Sequence, residues 1–175
     1  MNAESTAFRS SRPAVVLAPG GEGARAAFRE VVADGPPPGL LAYRDGTPVG
    51  WCAVAPRDAY SRVLNSRVLR PVDAAPACWA VVCFYVVRGE RRGGVAATLL
   101  EAAVDFAADH GAASVEGYPQ DTAGAKKHAN EMFVGSMSMF QGAGFEEVAR
   151  RSAQRPIMRR QLSRRGGRGG RGGSR

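Results

Sequence analysis

The stretch FYVVRGERRGGVAATLL, residues 84–100, passes from β-branched and aromatic residues through an arginine- and glycine-rich bend into small and aliphatic residues at helical spacing. It reads as a strand, a tight turn and a helix. The first turn of a helix leaves backbone N–H groups without carbonyl partners, and the aligned peptide dipoles make that end partly positive. In RRGGVAA the small residues Gly93, Gly94, Ala96 and Ala97 keep side chains clear of those amides, while Arg91 and Arg92 add charge, so the bend suits a phosphate or pyrophosphate. Within the bend there is neither GxGxxG nor a closing Gly-Lys-Ser/Thr, the marks of dinucleotide and nucleoside-triphosphate loops. A tight turn without a ligand is the competing reading of these residues taken alone.

On either side the pattern continues. ACWAVVCFYVV (77–87) predicts a buried central strand from its β-branched and aromatic content. GVAATLLEAAVDFAADHGA (94–112) predicts a long helix with Leu100, Ala103, Val104 and Ala107 on one face and Gly111 at its cap. Glu101, Asp105 and Asp109 lie on another face and read as a solvated surface. ASVEGYP (113–119) is a second short strand, and strand, helix and strand in succession require the two strands to run parallel through a right-handed crossover.

Further out, LLAYRDGTPVGWCAVA (40–55) predicts a hairpin turning at Asp45-Gly46, and EGARAAFREVVADG (22–35) a helix ended by glycine and prolines. Residues 56–76 form a long excursion with a helix expected over SRVLNSRVL (61–69). GSMSMFQGAGF (135–145) predicts a short helix ending at Gly144, followed by EEVARRS and RPIMRR as an antiparallel pair. The fold class is therefore α/β, with a mixed, mostly antiparallel central sheet flanked by helices.

A chain of 175 residues with 45% hydrophobic content builds one ordinary core. The longest apolar run, 77–87, is too short for a membrane helix, and the first residues do not resemble a secretory leader, so a cytoplasmic protein without membrane contact is expected. Cys52, Cys78 and Cys83 form no CxxC pair and read as buried thiols; His110 and His128 lack ligand-like neighbours, so no metal is implied. The net charge of +8 is uneven: residues 150–175 hold ten of the 24 basic residues and no acid, leaving 14 basic against 16 acidic residues before them. Residues 1–20 are expected to be a flexible arm, in which PAVVLAPGG (13–21) begins a short apolar stretch, 21–161 the folded domain, and 162–175 a disordered Arg/Gly-rich tail. Such a tail either makes weak, salt-sensitive contacts with RNA or single-stranded DNA or serves as a solubilising extension.

Arg91, Gly94 and Ala96 fall in register with Gln/Arg-x-x-Gly-x-Gly/Ala, and in this respect, as in the order of its elements over roughly residues 25–160, the chain resembles the GNAT superfamily of acyl-CoA-dependent N-acyltransferases. The resemblance implies a GNAT-like sheet in which the parallel pair splays apart. It implies acetyl-CoA or another acyl-CoA as co-substrate, with pantetheine in the gap against the backbone of Phe84, Tyr85 and Val86. Pyrophosphate would rest on the amides of Arg92, Gly93, Gly94, Val95, Ala96 and Ala97 beside Arg91. The acyl group would pass to a primary amine of a small molecule or protein.

Two departures stand out. Many relatives read Leu-Tyr-x-x-x-Gly-Phe in the short helix, with the tyrosine as acid for the leaving thiolate; MFQGAGF places Phe140 there, able only to pack against pantetheine. Phe133 stands where an asparagine is usual. A noncatalytic acyl-CoA-binding module is thus an alternative, as is a nucleic-acid-associated protein acting through its tail. For catalysis, Glu116 is the one acid in the strands flanking the gap; strand periodicity sets Tyr118 on its face, and Tyr85 and Cys83 share a face on the opposite strand. Glu116 is either general base or cation anchor, or else pairs with an arginine on the outer sheet surface. Tyr85 and Tyr118 are either proton donors or half-buried aromatics, and Cys83 has no nearby histidine to activate it.

Overall fold

The computed structural model describes residues 22–34, 37–122 and 133–163; the expected N-terminal arm, the middle of the 119–132 loop with His128, and the tail from residue 164 lie outside the described residues. Helix α1 (Glu22–Asp34) is followed by the predicted hairpin, β1 (Gly39–Arg44) and β2 (Thr47–Pro56). Asp45 and Gly46 both take positive φ, 48° and 75°, the pairing a tight two-residue turn requires. Next come α2 (Ser61–Leu64), β3 (Cys78–Val86), α3 (Val95–Asp109), β4 (Ser114–Gly117), α4 (Met137–Gly142), β5 (Glu146–Arg150) and β6 (Pro156–Gln161). The helix expected over 61–69 stops at Leu64, because the Ser66 hydroxyl accepts from the amides of Val68 and Leu69 and offers the backbone an alternative to helical bonding.

The six strands form one sheet in the order β1-β2-β3-β4-β6-β5. β3 and β4 run parallel and the other neighbours antiparallel, as predicted. Helix α3 buries Val95, Leu99, Leu100, Ala103, Val104 and Ala107 against one sheet face, where Trp79, Val81, Phe84, Val115 and Met158 meet them. It ends in a glycine cap: Gly111, at φ 79°, donates to Ala108 and Ala112 donates to Ala107. Helix α4 closes in the same way at Gly144, with Phe145 donating to Phe140. On the opposite face the 57–75 excursion packs Tyr60, Val63 and Leu69 over Ala80, Tyr118 and Ile157.

The parallel pair is short. β3 and β4 are in register from Cys78 with Ser114 to Val81 with Gly117, after which β3 runs on paired with β2 and not with β4. Two local causes explain the parting. Pro119 has no N–H and cannot extend the ladder, and β3 is kinked by a bulge at Val82, since Ala53 faces Cys83 while Val54 faces Val81. The ring of Phe140, fully buried, wedges under the parting point, edge-on to Phe84 at 6.2 Å and to Phe145 at 5.0 Å. A Cβ at Gly117 would lie 1.9 Å from Phe140 Cε1. Gly117→Ala is therefore expected to cost about 1–3 kcal/mol in urea unfolding, with part recovered when Phe140→Leu is added. A Gly117→Ala chain as stable as the parent would show that no wedge exists there.

Candidate active site

The bend after β3 has the geometry of an anion cradle. A single 3₁₀ turn, Arg88–Glu90, leads to Arg92 at φ 68° and Gly94 at φ 81°, the residue that caps α3 without any side-chain bond. Val95 anchors this helix start in the core, while Arg91, Arg92, Gly93, Gly94 and Ala97 are exposed and Ala96 is half-buried. Arg91 is drawn back over the strand end, its Nε donating to the Val86 carbonyl at 3.1 Å, and Glu90 is tied to Arg44 at 2.9 Å. Thus Arg91, Arg92, Gly93, Gly94, Val95, Ala96 and Ala97 do come together around one helix N-terminus. From it a groove of about 450 Å³ runs between α3 and α4, lined by Ala97, Thr98, Glu101, Ser138, Met139, Gly142 and Ala143.

Beside the cradle lies the gap. The Val87 amide donates to Val49 on β2, so by alternation Tyr85 also turns its amide to β2, while Phe84 and Val86 turn theirs to the gap. The Phe84 amide is occupied there by the carbonyl of Phe133. Gln120 bonds through its amide to Gly135 and through its carbonyl to Met137, so the 133–137 segment spans the space between the diverging strands. The Tyr85 side chain is 57% exposed and stands in a cross-strand row with Trp51 and, beyond it, Leu41. The acidic residues of α3 are exposed as expected, with Glu101 reaching Arg160 at 2.9 Å.

Glu116 sits on the sheet face turned away from α3, paired with Ala80, and is wholly buried. Its Oε1 accepts from Arg57 Nη1 at 3.0 Å and from Arg159 Nε and Nη2 at 3.1 and 2.6 Å; its Oε2 accepts from the Tyr118 hydroxyl at 2.9 Å. Arg159 also grips Asp73 with two bonds of 2.8 Å, and Arg57 donates to the Asp73 carbonyl. Two guanidiniums and two carboxylates thereby cancel while tying the 57–75 excursion to β4 and β6. The Arg159 guanidinium lowers the Asp73 carboxyl to about 2. Burial, then the Glu116 charge, pushes the Tyr118 phenol up, so it stays protonated. Glu116 does pair with arginine, with two rather than one, yet it faces inward rather than to solvent.

Burial also pushes the Cys83 thiol up, which disfavours the thiolate needed for covalent chemistry. Cys52, Cys78 and Cys83 are all free. His110 is engaged elsewhere, its Nδ1 at 2.8 Å from the Phe106 carbonyl and its ring against Phe106. Among the described residues no group of His, Cys, Asp or Glu is placed to hold a metal, and no helix is long and apolar enough to cross a membrane. Sequence reading missed Arg57, Asp73, Arg159 and Tyr60. Arg57, Tyr60 and Asp73 lie in a segment of mixed charge and Arg159 in the wholly basic end of the chain, none within a motif, and only contacts spanning 43 to 86 residues bring the ion pairs together.

Residues 6–129, which include the bend, α3 and the parallel pair, match the sequence model of the acetyltransferase (GNAT) family. No curated protein matches the chain. Among solved structures it is similar to an N-acetyltransferase from Staphylococcus aureus Mu50, with a TM-score of 0.55 at 15% identity over 81% of this chain and 77% of that one. It is also similar to Ard1 from Thermoplasma volcanium, with a TM-score of 0.50 at 18% identity over 79% and 80%. Another similar structure is PaiA N-acetyltransferase from Thermoplasma acidophilum in complex with coenzyme A, with a TM-score of 0.45 at 14% identity over 71% and 60%. A sheet whose one parallel pair parts beside a glycine-capped helix start, and a family match over most of its length, lead to one assignment: the chain belongs to the acetyltransferase (GNAT) family.

Proposed function

We propose that the chain transfers an acetyl group from acetyl-CoA to a primary amine of a small molecule or protein. The observation that carries this reading is the parting of β3 from β4 after Val81 and Gly117, with the unpaired end of β3 leading through the bend into a start of α3 that has no side-chain cap. In this reading Arg91, Arg92 and the amides of residues 93–97 hold the pyrophosphate, and the pantetheine arm enters the gap along Phe84 and Val86. For that, the Phe84 amide exchanges the Phe133 carbonyl for a pantetheine acceptor. Phe140 supplies the apolar floor of the gap and no proton. The leaving thiolate, a tolerable leaving group near neutral pH, takes its proton from water.

The amine approaches over the face that carries Tyr85 and Trp51. Glu116 and Tyr118 act as positioning groups: two guanidiniums on one carboxylate oxygen and a phenol on the other support an anchoring role over direct proton abstraction. The test is to incubate the full chain with acetyl-CoA and a panel of primary amines and N-terminal peptides, following free thiol release and acylated product by mass. Acyl transfer to at least one amine, saturating in acetyl-CoA, is expected. Coenzyme binding by calorimetry with no transfer to any acceptor would reduce the protein to a binding module.

A further inference from the structure

One donor close to the parting strands is unused by coenzyme binding as described. The Phe84 amide, turned to the gap and bonded to the Phe133 carbonyl, is assigned above to pantetheine. Tyr60, by contrast, has a hydroxyl with no acceptor among the described residues. It follows the 3₁₀ turn that ends β2, and its ring packs against the cluster of Val63, Ala80, Tyr118 and Ile157 that also receives Val82. Val82 and Tyr118 directly follow Val81 and Gly117, the last paired positions of β3 and β4, and Tyr60 shares their apolar cluster at the point of parting. Its hydroxyl is buried and has no hydrogen-bond partner among the described residues.

A buried hydroxyl without a partner destabilises a fold, and phenylalanine would fill the same space without that penalty. Burial also pushes the Tyr60 phenol up, so that at neutral pH it is a donor and never a base. The other hydroxyls and rings nearby do not compete for the task. The Tyr118 hydroxyl is committed to Glu116, Tyr85 stands outside on the sheet face, and Phe133 and Phe140 carry no side-chain donor.

Building on the coenzyme reading above, we propose that the Tyr60 hydroxyl donates a hydrogen bond to the carbonyl oxygen of the acyl thioester. When the amine nitrogen attacks the acyl carbon, a C–N bond forms and the carbonyl π pair moves onto that oxygen. The bond from Tyr60 strengthens as the negative charge grows. Collapse restores the carbonyl and breaks the C–S bond, whose electron pair leaves with sulfur; the nitrogen loses a proton to water and the thiolate gains one. Tyr60 keeps its own proton throughout.

Calorimetry of the full chain and of Tyr60→Phe with coenzyme A and with acetyl-CoA tests this without knowledge of the acceptor. The wild type is expected to bind acetyl-CoA several-fold more tightly than coenzyme A. Tyr60→Phe should bind coenzyme A as before, lose the preference for acetyl-CoA, melt at the same or a higher temperature, and turn over about 100-fold more slowly with whichever amine is accepted, while KM for acetyl-CoA rises only by the several-fold factor of the lost preference. An unchanged ratio of the two affinities together with undiminished turnover overturns the proposal and leaves the coenzyme reading intact. A lowered melting temperature with equal losses for both ligands overturns it in favour of a packing role. A wild type that binds neither ligand overturns both readings.

Discussion

Replacing Glu116 with leucine lowers the stability of the fold by about 3–5 kcal/mol, the cost of leaving buried charge without its partner. Among the described residues Glu116 is the carboxylate bonded to both guanidiniums, Arg57 and Arg159, at the centre of the ion cluster, and both arginine side chains are less than 10% exposed. Asp73 holds the outer side of Arg159 but meets Arg57 only through its backbone carbonyl, so it cannot replace what is lost. The Tyr118 hydroxyl loses its acceptor at the same time. Urea unfolding reads the loss as a shift of midpoint at constant slope. Removing the whole set, with Arg57→Met and Arg159→Met added, is expected to regain most of the stability, because paired buried ions repay little more than their own desolvation. A loss below about 1 kcal/mol for Glu116→Leu would mean that water reaches the cluster and solvates the stranded guanidiniums. Glu116→Gln separates holding from chemistry: a proton-abstracting role predicts lost turnover with coenzyme affinity kept.

Reversing Arg91 and Arg92 to glutamate weakens coenzyme A binding by about 100-fold or more. Charge-assisted bonds are each worth about 1.5–3 kcal/mol, and solvent screening at these exposed positions holds them to the lower end. Two such losses, with repulsion added, give that factor. The fold itself should be indifferent, since both residues are exposed and the one recorded bond from Arg91 is to the Val86 carbonyl. The wild-type affinity should fall as salt is raised and the reversed variant's should not. Pantetheine, which has no pyrophosphate, should bind both proteins alike. Unchanged coenzyme affinity in the double variant would place the diphosphate elsewhere and remove the basis for the proposed reaction.

The elements that could be read in advance are those whose signals are local. Asp45-Gly46 has a backbone preference that permits a tight hairpin turn and little else, and Gly111 and Gly144 end their helices at the positive φ that other residues resist. The parallel pair followed from chain order alone, because a strand, a helix and a strand close in only one hand. Residues 91–97 were legible as an exposed helix start because backbone amides there are placed by the helix, independently of distant partners. The weaker reading over 61–69 failed at a local competitor, the Ser66 hydroxyl, that periodicity does not register.

The face of each strand was also legible, and Glu116 does share one with Tyr118, as a period of two requires. What that face meets was not. Arg57, Asp73 and Arg159 are scattered along the chain and carry no pattern, yet folding brings them to one carboxylate. Likewise nothing in the run around Tyr60 shows that its hydroxyl has no partner among the described residues, or that the Phe133 carbonyl reaches Phe84. Backbone geometry and hydrophobic period act over a few residues and are written in order along the chain; pairing of charge and the satisfaction of buried donors act across space, and exist only once the sheet has brought its strands together.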